Sequence, residues 1–442
     1  MLFATRFRKR ARHYCPVRHA KPREIASLAL LDREAGRGFI EDLLDAALAR
    51  AQLSPLDRRL AQELAFGAVR WQATLDWLIA HQAGDRRQLP PVQVALRLGL
   101  YQLFWLDRVP DHAAVSETVG LLPDERQAGF VNALLRAFTR DRQVTRLLLD
   151  RLRRDEPALG WSHPAWLVDR WSARWGREKT VGLMEFNNTP ARTFARVNTL
   201  VTEPEKLIAA WRAENVEYDF GRWDWIAENL VFELRTHPPI ATLPSFRKGW
   251  FYIQDPSTLL APRLLEAHPG DRVLDLCAAP GGKTTFLAQM LENDAHLVAV
   301  EPAPARRERL AENCRRLNAD CAIVASLDDA PLREFDRILV DAPCSNTGVI
   351  RRRLDLRWRL RVEEIKRLGR DQLGLLGHVA PLLRPGGTLV YSTCSLEPEE
   401  NRGVVDAFLA GQPGFSLVQE RELFPPEAKA DGAYAAVLRK AD

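Results

Sequence analysis

The chain has 442 residues, a formal net charge of +5, 46% hydrophobic residues and 27% charged residues, as expected for a globular protein. At roughly 150 residues per domain, this length predicts about three domains. No apolar run is long enough to span a membrane, since even VALRLGLYQLFWL contains Arg97. The arginine-rich start lacks the apolar core of a secretory signal, so we expect a cytoplasmic protein. No C-x-x-C pair suggests zinc, so we expect no metal. We also expect a monomer.

The first third of the chain is predicted to be a helical bundle behind a basic arm. Residues 1–23 hold eight basic residues and no acidic one, which predicts a disordered arm over residues 1–21, with contact to RNA as the alternative. From residue 22 to 145, apolar residues recur at three- and four-residue spacing. The almost wholly apolar PPVQVALRLGLYQLFWL should form its central buried helix.

Residues 146–240 predict a small α+β domain. PARTFARVNTL and NLVFELR are candidate strands, and EPEKLIAAWRAENV between them is a candidate helix. Seven of the 12 tryptophans lie between Trp161 and Trp225. They could form a base-stacking platform, but packing in a core is the favoured interpretation.

From residue 241 to 442, strands and helices alternate. RVLDLC, HLVAVE, CAIVA, FDRILVDAP and GTLVYSTCS are predicted strands, and FSLV and YAAVLR are further candidates. This alternation predicts a doubly wound, mainly parallel α/β sheet, with ligands at the carboxyl ends of the strands.

The loop CAAPGGKTT after the first of these strands raises the question of which cofactor it holds. An ATP-binding loop would need a glycine where Cys277 stands, and G-x-G-x-x-G is absent as well. Glu301 ends the second strand, where a carboxylate accepts hydrogen bonds from ribose hydroxyls. A nucleoside cofactor without phosphates, S-adenosylmethionine, therefore fits better than ATP or a dinucleotide. The alternative is a purely structural turn with Lys283 on its surface.

Two cysteines and an aspartate follow neighbouring strands. Asp341 and Cys344 lie in DAPCS, and Cys394 lies in STCS. Adjacent strands are about 4.8 Å apart, so both thiols should reach one substrate. Methylation of carbon 5 of a pyrimidine needs such a set: a thiolate adds to carbon 6, and a base later removes the carbon-5 proton. A lone cysteine is usually an inert small hydrophobe, and this pattern does not say which of the two is the nucleophile.

At this point the chain resembles a known family. FDRILVDAPCSNTGVIRR, GTLVYSTCSLEPEEN, VLDLCAAPGGKT, RVNTL and YIQDPST are similar to the Sun-type RNA cytosine-C5 methyltransferases. DRRLAQELAFGAVR, LRLGLYQL and GFVNALLRAF resemble the NusB-like RNA-binding domain. The pairing resembles bacterial enzymes that act on 16S ribosomal RNA, and it covers nearly all of 22–442. It implies a Rossmann-like methyltransferase domain.

The resemblance also implies roles for single residues. Cys394 would be the nucleophile, Cys344 would assist product release, and Asp341 would hold the cytosine edge. Asn346 stands where the family usually has a small residue, and Glu301 where aspartate is commoner. The residues implied to hold S-adenosylmethionine are Cys277, Ala278, Ala279, Pro280, Gly281, Gly282, Lys283, Glu301, Asp341 and, as the acid after the third strand, Asp328.

A basic run and three functional hypotheses complete the predictions. Residues 351–370 contain nine basic residues and three acids, which indicates an RNA-backbone track, with a solvated helix face as the alternative.

We expect an enzyme acting on 16S ribosomal RNA. The alternatives are the same chemistry on transfer RNA and an RNA-binding assembly factor that has lost catalysis.

Overall fold

The computed structural model describes residues 21–84 and 88–442. The predicted arm at 1–21 therefore lies outside the described residues, apart from Lys21. The chain divides into two compact units. The first comprises the described residues up to Asn188 together with Arg353–Arg359, and the second comprises Thr189–Arg352 and Leu360–Asp442.

The first unit is helical. Ser54 caps one helix by accepting from the Asp57 amide at 3.1 Å, and proline opens several others. No strand occurs among its described residues. Its helices are α1 (Pro22–Glu34), α2 (Ile40–Arg50), α3 (Pro55–Arg70), α4 (Gln72–Ala83), α5 (Pro90–Trp105), α6 (Asp111–Val119), α7 (Glu125–Arg140), α8 (Arg142–Asp155), α9 (Pro157–Gly160) and α10 (Ala165–Asn188), the last interrupted at Gly176.

Helix α5 is the buried centre of this unit, as its sequence predicts. Its one charged residue, Arg97, is also buried. The Arg97 guanidinium donates to both carboxylate oxygens of Asp76 at 2.6 and 2.8 Å and to Glu34 at 2.8 Å. A charge can lie in an apolar helix because these two carboxylates satisfy it.

The inserted segment, residues 353–359, belongs to the helical unit although it lies far along the chain from it. Asp355 is fully buried and accepts from Arg33 Nε at 2.6 Å and from the Ile40 amide at 2.7 Å. Arg357 is fully buried and donates to the Asn188 side chain at 2.8 Å and to the Ser162 carbonyl at 3.1 Å. These contacts make the segment part of the unit's interior.

Buried and paired side chains within residues 351–358 correct the prediction of an RNA track over residues 351–370. Arg351 and Arg357 are buried. Arg352 donates to Asp255 at 2.8 Å, and the Trp358 indole donates to the Val69 carbonyl at 2.9 Å. The basic run is therefore wrong as a continuous RNA track, because three of its nine basic residues, Arg351, Arg352 and Arg357, are buried or half-buried and bound to carboxylates or carbonyl oxygens.

The second unit begins with a small antiparallel sheet in the order β2-β3-β1-β4. The fourth strand lies beyond residue 240, where the sequence placed the start of the next domain. The elements are β1 (Thr193–Val197), α11 (Pro204–Ala213), β2 (Glu217–Phe220), β3 (Val231–Thr236), α12 (Pro244–Arg247) and β4 (Phe251–Ile253).

The tryptophans of residues 161–225 are packing residues. Trp171 and Trp211 are fully buried, and the other five are half-buried. Trp211 lies 5.4–5.5 Å, ring centre to ring centre, from Phe232 and Phe251. Such edge-to-face pairs stabilise a core, so the structure favours core packing over a base-stacking platform.

The rest of the second unit is a seven-stranded sheet in the order β10-β11-β9-β8-β5-β6-β7. Strands β5 to β9 are parallel, and β10 and β11 are antiparallel, so the doubly wound prediction is confirmed with an antiparallel edge. Its strands are β5 (Arg272–Leu276), β6 (His296–Val300), β7 (Ala322–Val324), β8 (Phe335–Asp341), β9 (Leu383–Thr393), β10 (Phe415–Leu423) and β11 (Ala433–Lys440).

Helices cover both faces of this sheet, as crossover connections require. They are α13 (Leu260–Leu265), α14 (Gly282–Met290), α15 (Pro304–Leu317), α17 (Val362–Val379), α18 (Arg402–Gly411) and α19 (Pro425–Ala428), and α16 (Leu356–Arg359) lies in the inserted segment. Within residues 21–84 and 88–442, no helix combines the length and apolar character needed to cross a membrane.

Candidate active site

The glycine loop connects β5 to α14 at the carboxyl edge of the sheet. Gly281 has φ +103°, and a Cβ there would lie 2.9 Å from a methyl of Leu310, so both its conformation and its surroundings require glycine. Arg306 donates to the Ala279 carbonyl and Asn313 to the Pro280 carbonyl, both at 2.9 Å. Helix α15 therefore fixes the shape of the loop from outside.

Arg196 on β1 holds the same loop from the small sheet. Its fully buried guanidinium donates to the Gly282 carbonyl at 2.9 Å and to the Thr285 hydroxyl at 3.0 Å. Burial lowers the pKa of Arg196 to about 9. Sequence reasoning noted RVNTL only as a point of resemblance, so this role of Arg196 was missed.

Two of the three carboxylates predicted to hold the cofactor, Glu301 and Asp328, differ in their surroundings. Glu301 follows β6 and is almost fully buried, with Oε1 accepting from the Ala303 amide at 3.0 Å. Its Oε2 is buried without a hydrogen-bond donor and lies 3.4 Å from Arg306 Nη2. Asp328 follows β7 and is exposed. Glu301 Oε2 therefore lies in an ion pair but accepts no hydrogen bond from the described residues.

Lys283 and Asp341 form an ion pair between the glycine loop and the end of β8. Lys283 Nζ lies 2.7 Å from Asp341 Oδ2, and the Ser392 hydroxyl donates to Asp341 Oδ1 at 2.9 Å. Burial acts to lower the pKa of Lys283, but Asp341, with a smaller contribution from Cys394, raises it above its ordinary value. Lys283 is therefore a largely buried cation paired with Asp341, and not the surface lysine of the alternative interpretation.

The two predicted cysteines meet at the ends of β8 and β9. Cys344 Sγ and Cys394 Sγ are 3.3 Å apart. Cys344 is buried, and the hydrogen bond to Cys394 together with burial raises its pKa well above that of a free thiol. Cys394 is half-buried and donates to Asn346 Oδ1 at 3.0 Å. The more accessible thiol is therefore that of Cys394.

Both cysteine loops approach each other through backbone. The Gly348 amide donates to the Cys394 carbonyl at 2.9 Å, and the Gly432 amide donates to the Gly348 carbonyl at 2.8 Å. A Cβ on Gly348 would lie 2.6 Å from the Cys394 carbonyl oxygen, so no larger residue fits at this position.

Asp275 lies on β5, the strand that leads into the glycine loop, and it was not predicted from the sequence as a site residue. It is fully buried, accepts from the Thr284 hydroxyl at 2.6 Å on Oδ2, and has no donor to Oδ1. Burial raises the pKa of Asp275 to about 7, with a smaller contribution from Asp341.

Replacing Asp275 with asparagine should change how stability depends on pH. The folded pKa of about 7 exceeds the ordinary value of 3.8, so the wild type loses stability as the pH rises between these values. The variant cannot titrate at this position. Its melting temperature relative to the wild type should therefore increase between about pH 4 and about pH 8, as measured by thermal denaturation. A difference that is constant across this range would contradict the buried, protonated carboxyl.

The signals for the missed residues were weak for a common reason. The loop is bound by Arg196 and Arg306 from distant parts of the chain, and by Asp275 from within strand β5. Contacts of this kind have no local sequence signature. The one available signal was the aspartate in the apolar strand RVLDL. Because aspartate is rarely buried, it could have indicated a functional role for Asp275.

Comparisons with known proteins agree with this architecture. A family model described as 16S rRNA methyltransferase RsmB/F matches residues 262–439, one described as the NusB family matches residues 20–140, and one for an RsmF/B-like ferredoxin-like domain matches residues 163–230.

Relatives and solved structures match over long stretches. The ribosomal RNA small subunit methyltransferase B of Pseudomonas syringae pv. tomato is 35% identical over 95% of this chain and 97% of its own length. The crystal structure of a methyltransferase homologue from Pyrococcus horikoshii has a TM-score of 0.56 and 31% identity, covering 66% of this chain and 98% of its own. The crystal structure of PH0851, at 23% identity, shares the fold with a TM-score of 0.76 over 96% of this chain and 99% of its own.

The fold and the matches define a Rossmann-like methyltransferase with a NusB-type helical domain and a small ferredoxin-like domain. The chain belongs to the RsmB/F family of 16S rRNA methyltransferases. Within the part of the chain that the structure describes, no group of three or more histidine, cysteine, aspartate or glutamate side chains is placed to hold a metal ion.

Proposed function

We propose that this protein transfers a methyl group from S-adenosylmethionine to carbon 5 of a cytosine in 16S ribosomal RNA, through a covalent cysteine adduct. The observation that carries the proposal is the pair of thiols 3.3 Å apart beside the Lys283–Asp341 ion pair. S-adenosylmethionine, when bound, supplies an electrophilic methyl group. The remaining chemistry is assigned to the protein's own side chains.

The glycine loop and Glu301 fit this cofactor. Oε2 of Glu301, which accepts no hydrogen bond from the described residues, offers an acceptor to ribose hydroxyls. Loop residues 277–283, Asp341 and, with less structural support, the exposed Asp328 are the other proposed contacts. The loop lacks the first glycine of an ATP-binding loop, and its lysine is already paired with a carboxylate, which disfavours a nucleoside triphosphate.

The environments of the cysteines support different roles. Cys394 is half-buried and is the more accessible of the two thiols, which suits a nucleophile that adds to carbon 6. The hydrogen bond to Cys394 and burial raise the pKa of Cys344, so its thiolate, once its own proton has passed to solvent, is a strong base. That thiolate accepts the carbon-5 proton while the Cys394 sulfur leaves carbon 6 as a thiolate. Asp341 is assigned the role of accepting a hydrogen bond from the cytosine edge. The thiolate attacks across the ring face, so the base must be unpaired or flipped out.

The cofactor assignment is tested by calorimetry with S-adenosylmethionine and with ATP. We expect the first to bind and the second not to bind. Glu301→Ala should weaken S-adenosylmethionine binding by about 1.5–3 kcal/mol, the scale of a hydrogen bond to a charged group. Glu308→Ala, an exposed glutamate on α15, is the matched control and should bind normally. ATP bound with comparable affinity, or an unaffected Glu301→Ala, would overturn the assignment.

The RNA substrate is tested by bisulfite sequencing of ribosomal and transfer RNA from a strain that lacks the protein. Loss of one 5-methylcytosine in 16S ribosomal RNA, restored by the wild type and not by Cys394→Ala, is the expected result. Loss of a 5-methylcytosine in transfer RNA alone would favour that substrate instead. Normal methylation of both RNAs, together with a growth or assembly defect, would favour a non-catalytic assembly factor.

A further inference from the structure

The residues that directly follow the two cysteines are bound to one buried carboxylate. Ser345 follows Cys344, Ser395 follows Cys394, and both contact Glu400. Glu400 lies in a short turn after β9 and is fully buried. A single side chain thus connects the loop after β8 with the loop after β9.

The contacts use both oxygens of the carboxylate. Glu400 Oε1 accepts from the Ser345 amide at 2.8 Å and from Gln372 Nε2 at 3.0 Å. Oε2 accepts from the Ser395 hydroxyl at 2.6 Å and from the Ser345 hydroxyl. The two serine hydroxyls are 3.0 Å apart. Four donors therefore converge on one carboxylate.

The surroundings hold Glu400 itself in place. Gln372 on α17 also donates to the Pro343 carbonyl at 2.9 Å, and the Tyr391 hydroxyl donates to the backbone carbonyl of Glu400. Burial raises the pKa of Glu400, while the donors from Ser345, Ser395 and Gln372 act to lower it. A buried carboxylate is costly to desolvate, and only such a set of donors offsets that cost.

We propose that Glu400 is a positioning residue that fixes the separation of the two thiols by holding Ser345 and Ser395, a role that rests on the proposed cysteine chemistry. The hydrogen bonds of the Glu400 carboxylate go to Ser345, Ser395 and Gln372, so its positioning role is exerted through the two serines. Without it, the Gly348–Cys394 backbone hydrogen bond still joins the loops, but the two serines lose their common partner and the thiols can shift. A shift of about 1 Å at a reacting group costs on the order of 100-fold in rate.

The two serines allow the loops to be loosened one at a time. Ser345→Ala loosens the loop of Cys344, so release should slow by about 10-fold and adduct should accumulate on 16S ribosomal RNA. Ser395→Ala loosens the loop of Cys394, so adduct formation should slow by a similar factor without accumulation. Rapid quenching followed by denaturing electrophoresis measures both steps. Identical effects of the two variants on both steps would contradict separate positioning.

The carboxylate is tested by two substitutions and a matched control. Glu400→Ala should slow both steps by about 10- to 100-fold. Glu400→Gln retains one acceptor oxygen and can donate to both hydroxyls, so it should restore most of the rate. The control is Asp336→Asn: Asp336 is also buried and accepts from a backbone amide at 2.6 Å, but it lies at the opposite end of β8. It should lower the melting temperature without changing either step.

The outcomes separate this inference from the proposed function. A wild-type protein that forms no adduct and no 5-methylcytosine would refute the proposed function. A wild type that forms both, with a Glu400→Ala variant that is slowed no more than Asp336→Asn at equal stability, would refute the positioning role alone. Calorimetry with S-adenosylmethionine should give wild-type affinity for every variant at Glu400, Ser345 and Ser395, which distinguishes a displaced loop from a misfolded domain.

Discussion

Cys344→Ala should trap a methylated RNA on the protein as an adduct that survives denaturing electrophoresis. The Cys394 thiol remains, so addition to carbon 6 and methyl transfer can proceed. The variant lacks the Cys344 thiol, whose sulfur lies 3.3 Å from Cys394 Sγ in the wild type. No group then accepts the carbon-5 proton, so elimination of the enzyme from carbon 6 should stall. Turnover should fall by at least about 1,000-fold, the scale on which loss of a residue that acts in the chemical step is measured.

Cys394→Ala should lose activity to a similar degree but form no adduct. The double variant should behave like Cys394→Ala, because addition precedes release. Cys321→Ala, which removes another half-buried thiol, is the matched control and should retain activity and show no trapping. Accumulation of the adduct with Cys394→Ala instead would reverse the two roles, and wild-type activity of both single variants would exclude covalent catalysis.

The parts of this site that the sequence predicts are those set by local pattern and by strand ends. The order of apolar strands implied a parallel sheet, and parallel strands bring their carboxyl ends to one edge. That is why Asp341, Cys344 and Cys394, which are up to 53 positions apart, were expected together, and the register pair Asp341–Ser392 brings them there.

The parts that the sequence did not predict depend on contacts that have no local signature. Glu400 stands in PEEN among other acids, and nothing in that stretch distinguishes a buried carboxylate from an exposed one. Arg196 reaches the glycine loop 86 positions away. For the inserted segment the sequence pattern gave a wrong prediction. A run of arginines with Trp358 among them is typical of an RNA-binding surface, yet here Arg357 is buried.

The inserted segment should be among the most sensitive parts of the helical unit. Arg357→Ala removes a fully buried guanidinium and leaves the oxygens of Ser162, Asn187 and Asn188 without their donor. Each buried acceptor left without a donor costs about 1–3 kcal/mol, so the loss over these three oxygens should amount to several kcal/mol. For a unit of this size, 1 kcal/mol corresponds to roughly 2–4 °C, so the melting temperature should fall by on the order of 10 °C.

Differential scanning calorimetry of Arg357→Ala beside Arg353→Ala measures this effect. Arg353 carries the same charge in the same segment but is exposed, so its variant should melt within a degree or two of the wild type. Since both variants lose one positive charge, a contribution of the segment to RNA affinity through charge alone would affect them equally. Equal melting temperatures for the two variants would show that Arg357 is not a structural arginine.

A fragment that begins at residue 146 removes Arg33, Ile40 and Val69, the partners of Asp355 and Trp358. It should therefore be less stable than the full chain, and single substitutions are the better test of what the helical unit contributes to RNA binding.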